Sequence, residues 1–536
     1  MAIGLTLSAC AGEGSSGTVA SEPVSGGTIV FATDREPFSL DPAHGGDQPQ
    51  ANIARAYLDS LIRQESDGGF TPWLAKSWEI SPDEAIYTFH LRDDVTFTDG
   101  TPFNAAAVKA NFDHWLDPAT VNSESSASFK NLRSIETPDD YTVVVDLGKP
   151  YADFLSTLTS SYSGMQSPAG LARGLEANDL APIGTGPFII ESWDKQSQVT
   201  LVRNEAYNWA PATAAHQGPA YAQEIVWKFI PEATTRFAAL ESGEVDSIEN
   251  PPPSNFRKIQ SSDTLTLIDG QRTGVPVQLD LNTTRAPFDD LAVRQAFRHA
   301  VDVQSGLDSI YFGAYKGFGG SLSPNTVFYD PEFEAAYPFD VDKANQLLDG
   351  AGWTQRNSDG FRVKNGQVLT ANVVLGLGAT SQEYFLLDQL AGTVKQAGFD
   401  LEYKKLDDDQ AAATRAKWDY DALKDYWGGP NTASALYYLF HSAMNADVGS
   451  GYHPNGTGYR NAELDSLIDQ GIAVSDTDKR QALYSAAQKI ISDEALNVPL
   501  YLQPLQYVYR NDIVEGVDTD PRTNQVSFYD AWVTRQ

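Results

Sequence analysis

Apolar and polar residues alternate in short segments of the chain, and elsewhere they repeat with the period of a helix. Tyr87–Leu91 alternates residue by residue, which predicts a strand with one buried face. After Asp290, apolar residues recur three and four positions apart, which predicts an amphipathic helix. Further strands are predicted at 26–31, 141–147, 188–190, 199–202 and 225–230, and further helices after Asn104 and around 344–351 and 483–491. This mixture, without strict alternation, predicts an α/β protein that is not a single doubly wound domain.

Length and charge narrow the class of protein. The chain has 536 residues, enough for two or three domains with their own cores. Its 71 acidic residues outnumber 38 basic ones, which gives a formal net charge of -33. Such a surface repels nucleic acid and anionic lipid, so we expect no nucleic-acid partner. Aromatic residues make up 11% of the chain, which suits both a protein that grips organic ligands and an ordinary core.

The single cysteine, Cys10, excludes an internal disulfide framework. It ends the segment Leu7-Ser8-Ala9-Cys10, which resembles the lipobox of bacterial lipoproteins, where the thiol is acylated and the cysteine becomes the new N-terminus. We interpret 1–10 as a truncated lipoprotein signal, since it lacks a positively charged start, and 11–26 as a flexible Gly/Ser-rich tether. The alternative is an ordinary buried thiol. The first interpretation predicts an extracytoplasmic protein that is lipid-anchored to the cell membrane.

Local motifs for catalysis or metal binding are absent from the sequence. The seven histidines form no HxH or HExxH pair, and no calcium loop, G-x-S-x-G elbow or phosphate loop is present. We therefore expect no metal site, no cofactor and no catalytic residues, although a triad assembled from distant residues stays open. Gly184-Thr185-Gly186-Pro187 is the nearest glycine-rich turn. Because Pro187 lacks an N–H, this turn favours a tight crossing between domains over a phosphate site.

A series of short motifs runs in order through the chain: Ser39–Pro42, Pro72–Trp78, Phe89–Phe103, Val108–Phe112, Gly184–Phe188, Arg203–Asn204, Leu240–Asp246 and Val293–Ala296. Together they resemble the solute-binding proteins of peptide/nickel-type ABC importers, the family that includes oligopeptide- and dipeptide-binding proteins. The resemblance covers the chain from about residue 26 to the end. The motif residues are mostly structural: Asp99-Gly100 predicts a turn, and Arg294 predicts an ion pair on a helix.

The resemblance implies a periplasmic-binding-protein-like fold, in which two α/β lobes face each other across a cleft. An extra domain is inserted in the first lobe, and a two-strand hinge joins the lobes. Mapped onto this sequence, lobe I comprises 27–70, 188–283 and 504–536, the inserted domain comprises 71–187, and lobe II comprises 284–503. Closure about such a hinge traps a ligand that contacts both lobes.

The resemblance also implies where the ligand lies. The loop after Asp41-Pro42 resembles the loop that lines the cleft in family members, although a solvent-exposed turn is the alternative. Residues of the inserted domain are expected to close one end of the pocket. The expected ligand-binding residues are Asp47, Gln48, Gln50, Ser161, Tyr162, Asp425, Tyr426, Trp427 and Asn431.

One position departs from the family pattern. In peptide binders of this family, an aspartate four residues before the matching proline captures the ammonium group of the peptide. Here Tyr426 takes that place before Pro430, and the nearest carboxylate, Asp425, is shifted by one residue. A one-residue shift in a strand points a side chain to the opposite face. Either Asp425 reaches the ligand through irregular backbone, or the ligand lacks a free amino terminus and Tyr426 and Trp427 stack on a ring or pack within the lobe.

The most direct functional hypothesis is an extracytoplasmic receptor that captures a small organic ligand and delivers it to ABC permease subunits. The ligand is a peptide, or a non-peptide aromatic, opine or chelate, and the receptor is expected to be a monomer that catalyses no reaction. One alternative is a cell-surface hydrolase on the same fold, which requires a Ser-His-Asp/Glu cluster in the cleft. Another is a sensor or chaperone that presents the ligand to a membrane receptor.

Overall fold

The computed structural model describes residues 22–120, 129, 132–376, 379–429, 431–447, 453–520 and 522–534. Cys10 and most of the predicted tether lie outside these ranges. Within them, no helix combines the length and apolar character needed to cross a membrane.

The first lobe is built on a seven-stranded sheet, called here the lobe I sheet. Its spatial order is Leu265–Gln271, Pro504–Arg510, Ser247–Glu249, Thr28–Thr33, Glu224–Phe229, Gln198–Arg203 and Phe188–Asp194. Thr28–Thr33 pairs in parallel with both neighbours, and the other pairings are antiparallel. The helices of this lobe are Gln48–Ala54, Ala233–Ser242 and Phe256–Gln260. The sheet therefore draws on three separate stretches of chain, including the C-terminal part.

The inserted domain carries a four-stranded antiparallel sheet in the order Ala75–Ile80, Ile86–Leu91, Thr142–Asp146 and Ser134–Asp139. Its helices are Ala105–Trp115, Phe154–Thr159, Pro168–Leu171 and Leu175–Leu180. The predicted cap is confirmed, since Asn104 Oδ1 accepts a hydrogen bond from Ala107 N at 3.0 Å. The buried residues of this domain are continuous with those of lobe I, whereas lobe II has its own cores. The insert and lobe I thus form one packed unit.

Lobe II is built on a five-stranded sheet in the order Asp400–Tyr403, Thr370–Leu375, Ala422–Asp425, Val277–Leu281 and Asn497–Tyr501. The helices that follow its strands are Leu291–Ala300, Val303–Tyr311, Val341–Gly350, Ser381–Ala397, Asp408–Ala416, Thr432–Phe440, Ala462–Ala473 and Thr477–Asp493. The predicted ion pair on the first of them is present, with Arg294 Nη2 at 3.1 Å from Glu494 Oε2.

Strand Val277–Leu281 corrects the predicted end of the second lobe I segment at residue 283. It pairs with Ala422–Asp425 and with Asn497–Tyr501, so it belongs to the lobe II sheet. All of its residues are buried. Its sequence alternates apolar Val277, Leu279 and Leu281 with polar Gln278 and Asp280, yet all five side chains are buried, so the alternation does not show which sheet the strand joins.

Smaller elements complete the chain. Two-stranded or three-stranded pairings join Ile62–Gln64 with Phe70–Pro72, Gln355–Arg356 with Arg362–Lys364 and Gln367–Val368, Val514–Glu515 with Trp532–Val533, and Asp518–Thr519 with Val526–Ser527. Single 3₁₀ turns lie at Ser161–Ser163, Pro253–Asn255, Pro331–Phe333 and Ser442–Met444. The pairing of Asp518–Thr519 with Val526–Ser527 forms a C-terminal hairpin.

The glycine-rich turn before Phe188 forms the tight passage that the sequence predicts. A Cβ on Gly184 would lie 1.9 Å from Tyr57 O, and one on Gly186 would lie 2.5 Å from Tyr57 C. Gly186 N donates to Tyr57 O at 3.0 Å. Here the chain leaves the inserted domain and enters the lobe I sheet, and only glycine leaves room for the neighbouring backbone.

The chain crosses between the two large sheets twice. It leaves the lobe I sheet after Gln271 and enters the lobe II sheet at Val277, and it returns between Tyr501 and Pro504. The two crossings lie side by side, since Arg272 N donates to Gln503 O at 3.0 Å. Two short adjacent connections between separately packed units are the geometry of a hinge.

Candidate ligand-binding cleft

The loop after the first strand is held by its own side chains. Asp47 caps helix Gln48–Ala54: its Oδ1 accepts from Gln50 N at 3.0 Å, while Gln50 Oε1 accepts from Asp47 N at 2.7 Å. Gln50 is fully buried, and its Nε2 donates to Asp41 O at 3.1 Å and to His44 O at 2.6 Å. Gln50 therefore braces the loop from inside, and its contact with a ligand stays a prediction. Burial raises the pKa of Asp47 above its ordinary value.

The inserted domain contacts this loop through Tyr162. The Tyr162 hydroxyl lies 2.8 Å from Asp47 O and 3.1 Å from Gly46 O, both within donating distance. The structure thus brings together two predicted site residues that are more than a hundred positions apart. Ser161 is buried, with its Oγ 3.5 Å from Gln525 Oε1, and Gln48 Nε2 donates to Asn52 Oδ1 at 2.8 Å.

In lobe II, the carboxylate of Asp425 is engaged inside the protein. Its Oδ2 accepts from Arg415 Nη2 at 2.7 Å, and its Oδ1 accepts from Tyr426 N at 2.9 Å. Only 12% of the Asp425 side chain is exposed. Asp425 was predicted to reach the ligand through irregular backbone. In this structure its carboxylate instead binds Arg415, which would compete with a ligand for it.

A second buried carboxylate shares this environment. Asp280 lies two residues along the neighbouring strand from Gln278, which is the residue opposite Asp425. Burial raises the pKa of Asp280 and of Asp425, and the charge of Asp425 raises that of Asp280 further, while Arg415 acts in the opposite direction on both. The single positive charge of Arg415 faces two carboxyl groups. Because it cannot neutralise both, a proton on Asp280 is favoured.

Tyr426 and Trp427 have different surroundings. Tyr426 is 40% exposed, with Lys424 Nζ 5.9 Å from its ring centroid. Trp427 stacks on Tyr438 at 4.4 Å between ring centroids. Tyr426 is therefore the ring of this pair that is open to a ligand, whereas Trp427 packs within the lobe. Asn431 precedes helix Thr432–Phe440, and its O accepts from Ala435 N at 3.3 Å.

Trp427 also touches the hinge. Its carbonyl accepts from Val275 N at 2.9 Å. Gly274 has a φ of +107°, and a Cβ there would lie 2.0 Å from Trp427 O. This close approach requires glycine and places the predicted ligand-binding segment against the first crossing between the lobes.

A cavity of ≈ 100 Å³ lies within the first lobe, between the end of helix Gln48–Ala54, the inserted domain and the C-terminal hairpin. Its charged lining residues are Arg55, Asp59, Arg63, Asp518, Asp520, Arg522 and Asp530, and its aromatic ones are Trp73, Phe188, Tyr207, Trp227, Phe528 and Tyr529. None of its lining residues comes from the lobe II sheet or its helices. Sequence reasoning missed this cavity, because its residues come from seven separate segments of the chain. The charged and aromatic run at 518–530 was a local signal.

Asp59 is the most buried acid of this cavity. It accepts hydrogen bonds from Thr185 Oγ1 at 2.9 Å and from Trp209 Nε1 at 3.0 Å. Burial nevertheless raises the pKa of Asp59 to about 6, because the desolvation of its charged form outweighs these bonds and the field of Arg55. At neutral pH it is mostly ionised, and in mild acid it carries a proton.

One Ser-His-Asp group of the kind that the hydrolase hypothesis requires lies beside the loop after the first strand, and its geometry is not that of a triad. Ser39 Oγ donates to Asp179 Oδ1 at 2.7 Å, and His44 Nδ1 lies 2.9 Å from the same oxygen. The hydroxyl is thus bonded to the carboxylate instead of to the imidazole, so the serine-to-histidine hydrogen bond of a triad is not formed here. Within the described ranges, no group of three or more His, Cys, Asp or Glu side chains is arranged to hold a metal ion.

Comparison with known proteins identifies the protein family. Residues 69–447 match the family described as bacterial extracellular solute-binding proteins, family 5 Middle. The chain belongs to this family. It is therefore the solute-binding component of an ABC importer and acts outside the cytoplasm.

Individual relatives agree over nearly the whole chain. Heme-binding protein A of Haemophilus influenzae is 29% identical over 503 residues, which cover 89% of this chain and 87% of that protein. Glutathione-binding protein GsiB of Escherichia coli strain K12 is 27% identical, with 89% of each chain covered. The crystal structure of NikA from Brucella suis in complex with Fe(III)-EDTA is 27% identical and superposes with a TM-score of 0.83, covering 95% of this chain and 100% of NikA.

Proposed function

We propose that this family 5 protein captures a small organic solute between its two lobes and passes it unchanged to an ABC permease. The observation that carries the proposal is the pair of adjacent crossings, in which Arg272 N donates to Gln503 O at 3.0 Å. Lobe I and the insert share one core while lobe II has its own, so the two units can rotate about these crossings. A ligand that contacts both units binds the closed form more tightly and shifts the population towards it.

The ligand of this protein is proposed to be held mainly by groups other than Asp425. A buried ammonium group without a carboxylate partner costs several kcal/mol. Asp425 is the nearest carboxylate to the expected position, yet Arg415 Nη2 lies 2.7 Å from it. An exposed ring at Tyr426 supports a solute with a ring or another flat group that stacks there.

Lobe I comprises 27–70, 188–271 and 504–536, the inserted domain 71–187, and lobe II 277–503, after the correction at strand Val277–Leu281. The protein acts as a monomer, catalyses no reaction and is tethered to the membrane by acylated Cys10. Lasting attachment needs more than one acyl chain, since each buried methylene contributes about 0.8 kcal/mol.

Binding is tested on the purified protein with a panel of solutes. The panel contains di- and oligopeptides, glutathione, haem, Fe(III)-EDTA, an opine and aromatic acids. A cognate solute at a hundredfold excess over its Kd should stabilise the fold by about 2.7 kcal/mol and raise the Tm. Small-angle scattering should show compaction with the same solute. A panel without effect, together with native mass spectra that show no co-purified small molecule, would contradict the proposal.

A further inference from the structure

The cavity within the first lobe contains a buried arginine without an acceptor. Arg522 is only 9% exposed, and its Nε and Nη2 are buried and have no hydrogen-bond acceptor among the described residues. Its backbone N donates to Asp520 Oδ1 at 3.0 Å, which fixes the turn that carries it. A guanidinium keeps its charge when buried, so these N–H groups favour an anion in the adjoining space.

Two further arginines contribute positive charge to the same cavity. Arg55 donates through Nη1 to Ser60 Oγ at 2.9 Å and through Nη2 to Thr159 O at 2.7 Å, and its Nε has no acceptor in the described structure. Arg63 Nε also lacks a hydrogen bond there, and it lies 3.7 Å from Glu65 Oε1 in a looser ion pair. The partners of Arg55 are uncharged, so its charge is not neutralised by direct contact.

The acids that line the cavity are largely occupied by other donors. Asp59 accepts from Thr185 and Trp209. Asp530 Oδ1 lies 2.7 Å from His216 Nδ1. Asp520 Oδ1 accepts from the backbone of its own turn, at 3.0 Å from Arg522 N and 2.8 Å from Thr523 N. Asp518 is exposed to solvent. The charge of Asp520 acts on both Arg522 and Arg55, but among the described residues no carboxylate accepts a hydrogen bond from Arg522 Nε or Nη2, so these two N–H groups are left for an added anion.

The rest of the wall is aromatic. Trp73, Tyr207, Trp227, Phe528 and Tyr529 line the cavity. The guanidinium of Arg55 lies 5.3 Å from the Trp73 ring centroid. The cavity adjoins the predicted cleft, because Ser160 and Gln525 line it and both contact the turn that carries Ser161. The cavity thus has arginines at one part of its wall and aromatic rings around the rest. This combination fits the carboxylate and the apolar body of a small organic acid.

We propose that this cavity binds the carboxylate of a small organic acid, with the Arg522 guanidinium as its main partner and the aromatic wall around its body. We further infer that the imported solute carries such a carboxylate; this second part rests on the proposed function. A carboxylate accepts two parallel N–H bonds from one guanidinium, which an amide of the same shape cannot do. The site therefore selects acids over their amides.

The cavity is tested with 4-bromophenylacetate and its neutral counterpart, 4-bromophenylacetamide, so that the test needs no transported solute. Titration calorimetry on the full chain should give a Kd about ten-fold or more lower for the acid. Crystals grown with the acid should show anomalous bromine density in the cavity. Arg522→Gln should abolish the preference and Arg522→Lys should keep part of it, since lysine retains the charge without the fork. Arg257→Gln, at an exposed position of the same lobe, should leave the preference unchanged.

Equal Kd values for acid and amide, bromine density elsewhere, or an unchanged preference in Arg522→Gln would overturn the anion site. If Arg522→Gln does not fold, Arg522→Lys decides, because it should still lower the preference measurably. The second part is tested with whichever panel solute binds. A solute whose Kd is unaffected by an Arg522 variant that loses the bromophenyl acid would show a separate site. If no solute binds while the acid does, the proposed function fails and the anion site stands.

Discussion

Asp153 of the inserted domain and Arg480 of lobe II form a buried ion pair, with Nη2 2.5 Å from Oδ1 and side chains 8% and 9% exposed. Beside it, Ala152 N donates to Ile472 O at 2.9 Å. The inserted domain is packed onto lobe I, so these contacts join the two units outside the two hinge crossings. Opening of the lobes about the hinge would expose both charges to water and separate them.

The first prediction concerns this ion pair. Arg480→Met should lower the free energy of unfolding by about 3–5 kcal/mol, because it leaves the Asp153 carboxylate buried without its partner. The double variant Asp153→Leu with Arg480→Met should recover part of that loss, since it removes both charges. Urea unfolding of the four proteins in a double-mutant cycle gives the coupling between the two residues.

The control is a pair of the same type on the surface. Lys489 lies 2.6 Å from Asp493, and both side chains are more than half exposed. Lys489→Met should leave stability unchanged within error, because exposed pairs contribute little. A similar loss of unfolding free energy in Lys489→Met and Arg480→Met would show that burial is not the reason why the Asp153–Arg480 pair stabilises the protein. Arg480→Met should also enlarge the radius of gyration in solution if the pair holds the lobes together.

The second prediction concerns the tight passage before Phe188. Gly184→Ala places a Cβ 1.9 Å from Tyr57 O, a backbone atom that cannot move aside cheaply. We expect a loss of about 1–3 kcal/mol or more in the free energy of unfolding, measured by urea denaturation.

Gly350→Ala is the matched control. Gly350 ends helix Val341–Gly350, and a Cβ at this position would have open space within 4 Å beyond the backbone of its own helix. Alanine there should stabilise the protein by about 0.5–1 kcal/mol, since glycine loses more conformational freedom on folding. Loss of stability in both variants would mean that the contact with Tyr57 is not the cause.

Much of the fold was predictable from local pattern. Asn104 and Asp290 cap the helices that the apolar spacing predicts, because capping and amphipathic period are properties of neighbouring residues. The position of the first crossing between the lobes was not predictable from local pattern. Strand Val277–Leu281 is buried on both faces, and its partner strands lie far away in sequence. The order of strands in a sheet depends on such distant pairings. A resemblance to a known family predicts them, whereas the periodicity of the sequence does not.

The site was less predictable than the fold. The resemblance gave Tyr162 and Asp47 as expected ligand-binding residues but did not predict the hydrogen bond between them. The use of Gln50 as a brace depends on a loop geometry that composition does not reveal. The partner of Asp425 is Arg415, ten residues earlier on a helix. Arg522 was missed because the absence of an acceptor is a property of the packed cavity and has no signature in the sequence.

The third prediction uses the pKa of Asp59. Burial raises this pKa from 3.8 to about 6, so the folded protein holds a proton that the unfolded chain releases. The free energy of unfolding attributable to Asp59 is therefore highest below about pH 4 and falls as the pH rises to about 6, by roughly 3 kcal/mol in all. Asp59→Asn cannot titrate, so the difference between wild type and variant should follow this curve.

Urea unfolding at pH 4, 5, 6 and 7 measures the effect. Asp67→Asn, in an exposed turn where its carboxylate accepts from Gly69 N, leaves Asp59 in place and should keep the wild-type slope. A difference between wild type and Asp59→Asn that does not change with pH would show that Asp59 keeps an ordinary pKa.

The fourth prediction separates two neighbouring residues of the lobe II segment. Asp425→Asn should lower the Tm and cost about 1–3 kcal/mol, because it weakens the partner of the buried Arg415. Its effect on the Kd of a bound solute should be small by comparison. Tyr426→Ala removes a ring that is 40% exposed, so stability should stay within about 0.5 kcal/mol of wild type.

Tyr426→Ala should instead weaken the binding of a ring-bearing solute by about 2- to 10-fold, the range expected for one lost stacking contact. Calorimetric titration and thermal unfolding of the same samples separate the two effects. The opposite result would contradict this prediction. If Asp425→Asn kept its Tm but lost most of its affinity for a solute with a free ammonium group, the Asp425 carboxylate would lie at the ligand. Arg415 would then have to exchange Asp425 for Asp280 on ligand binding, since both acids share its charge.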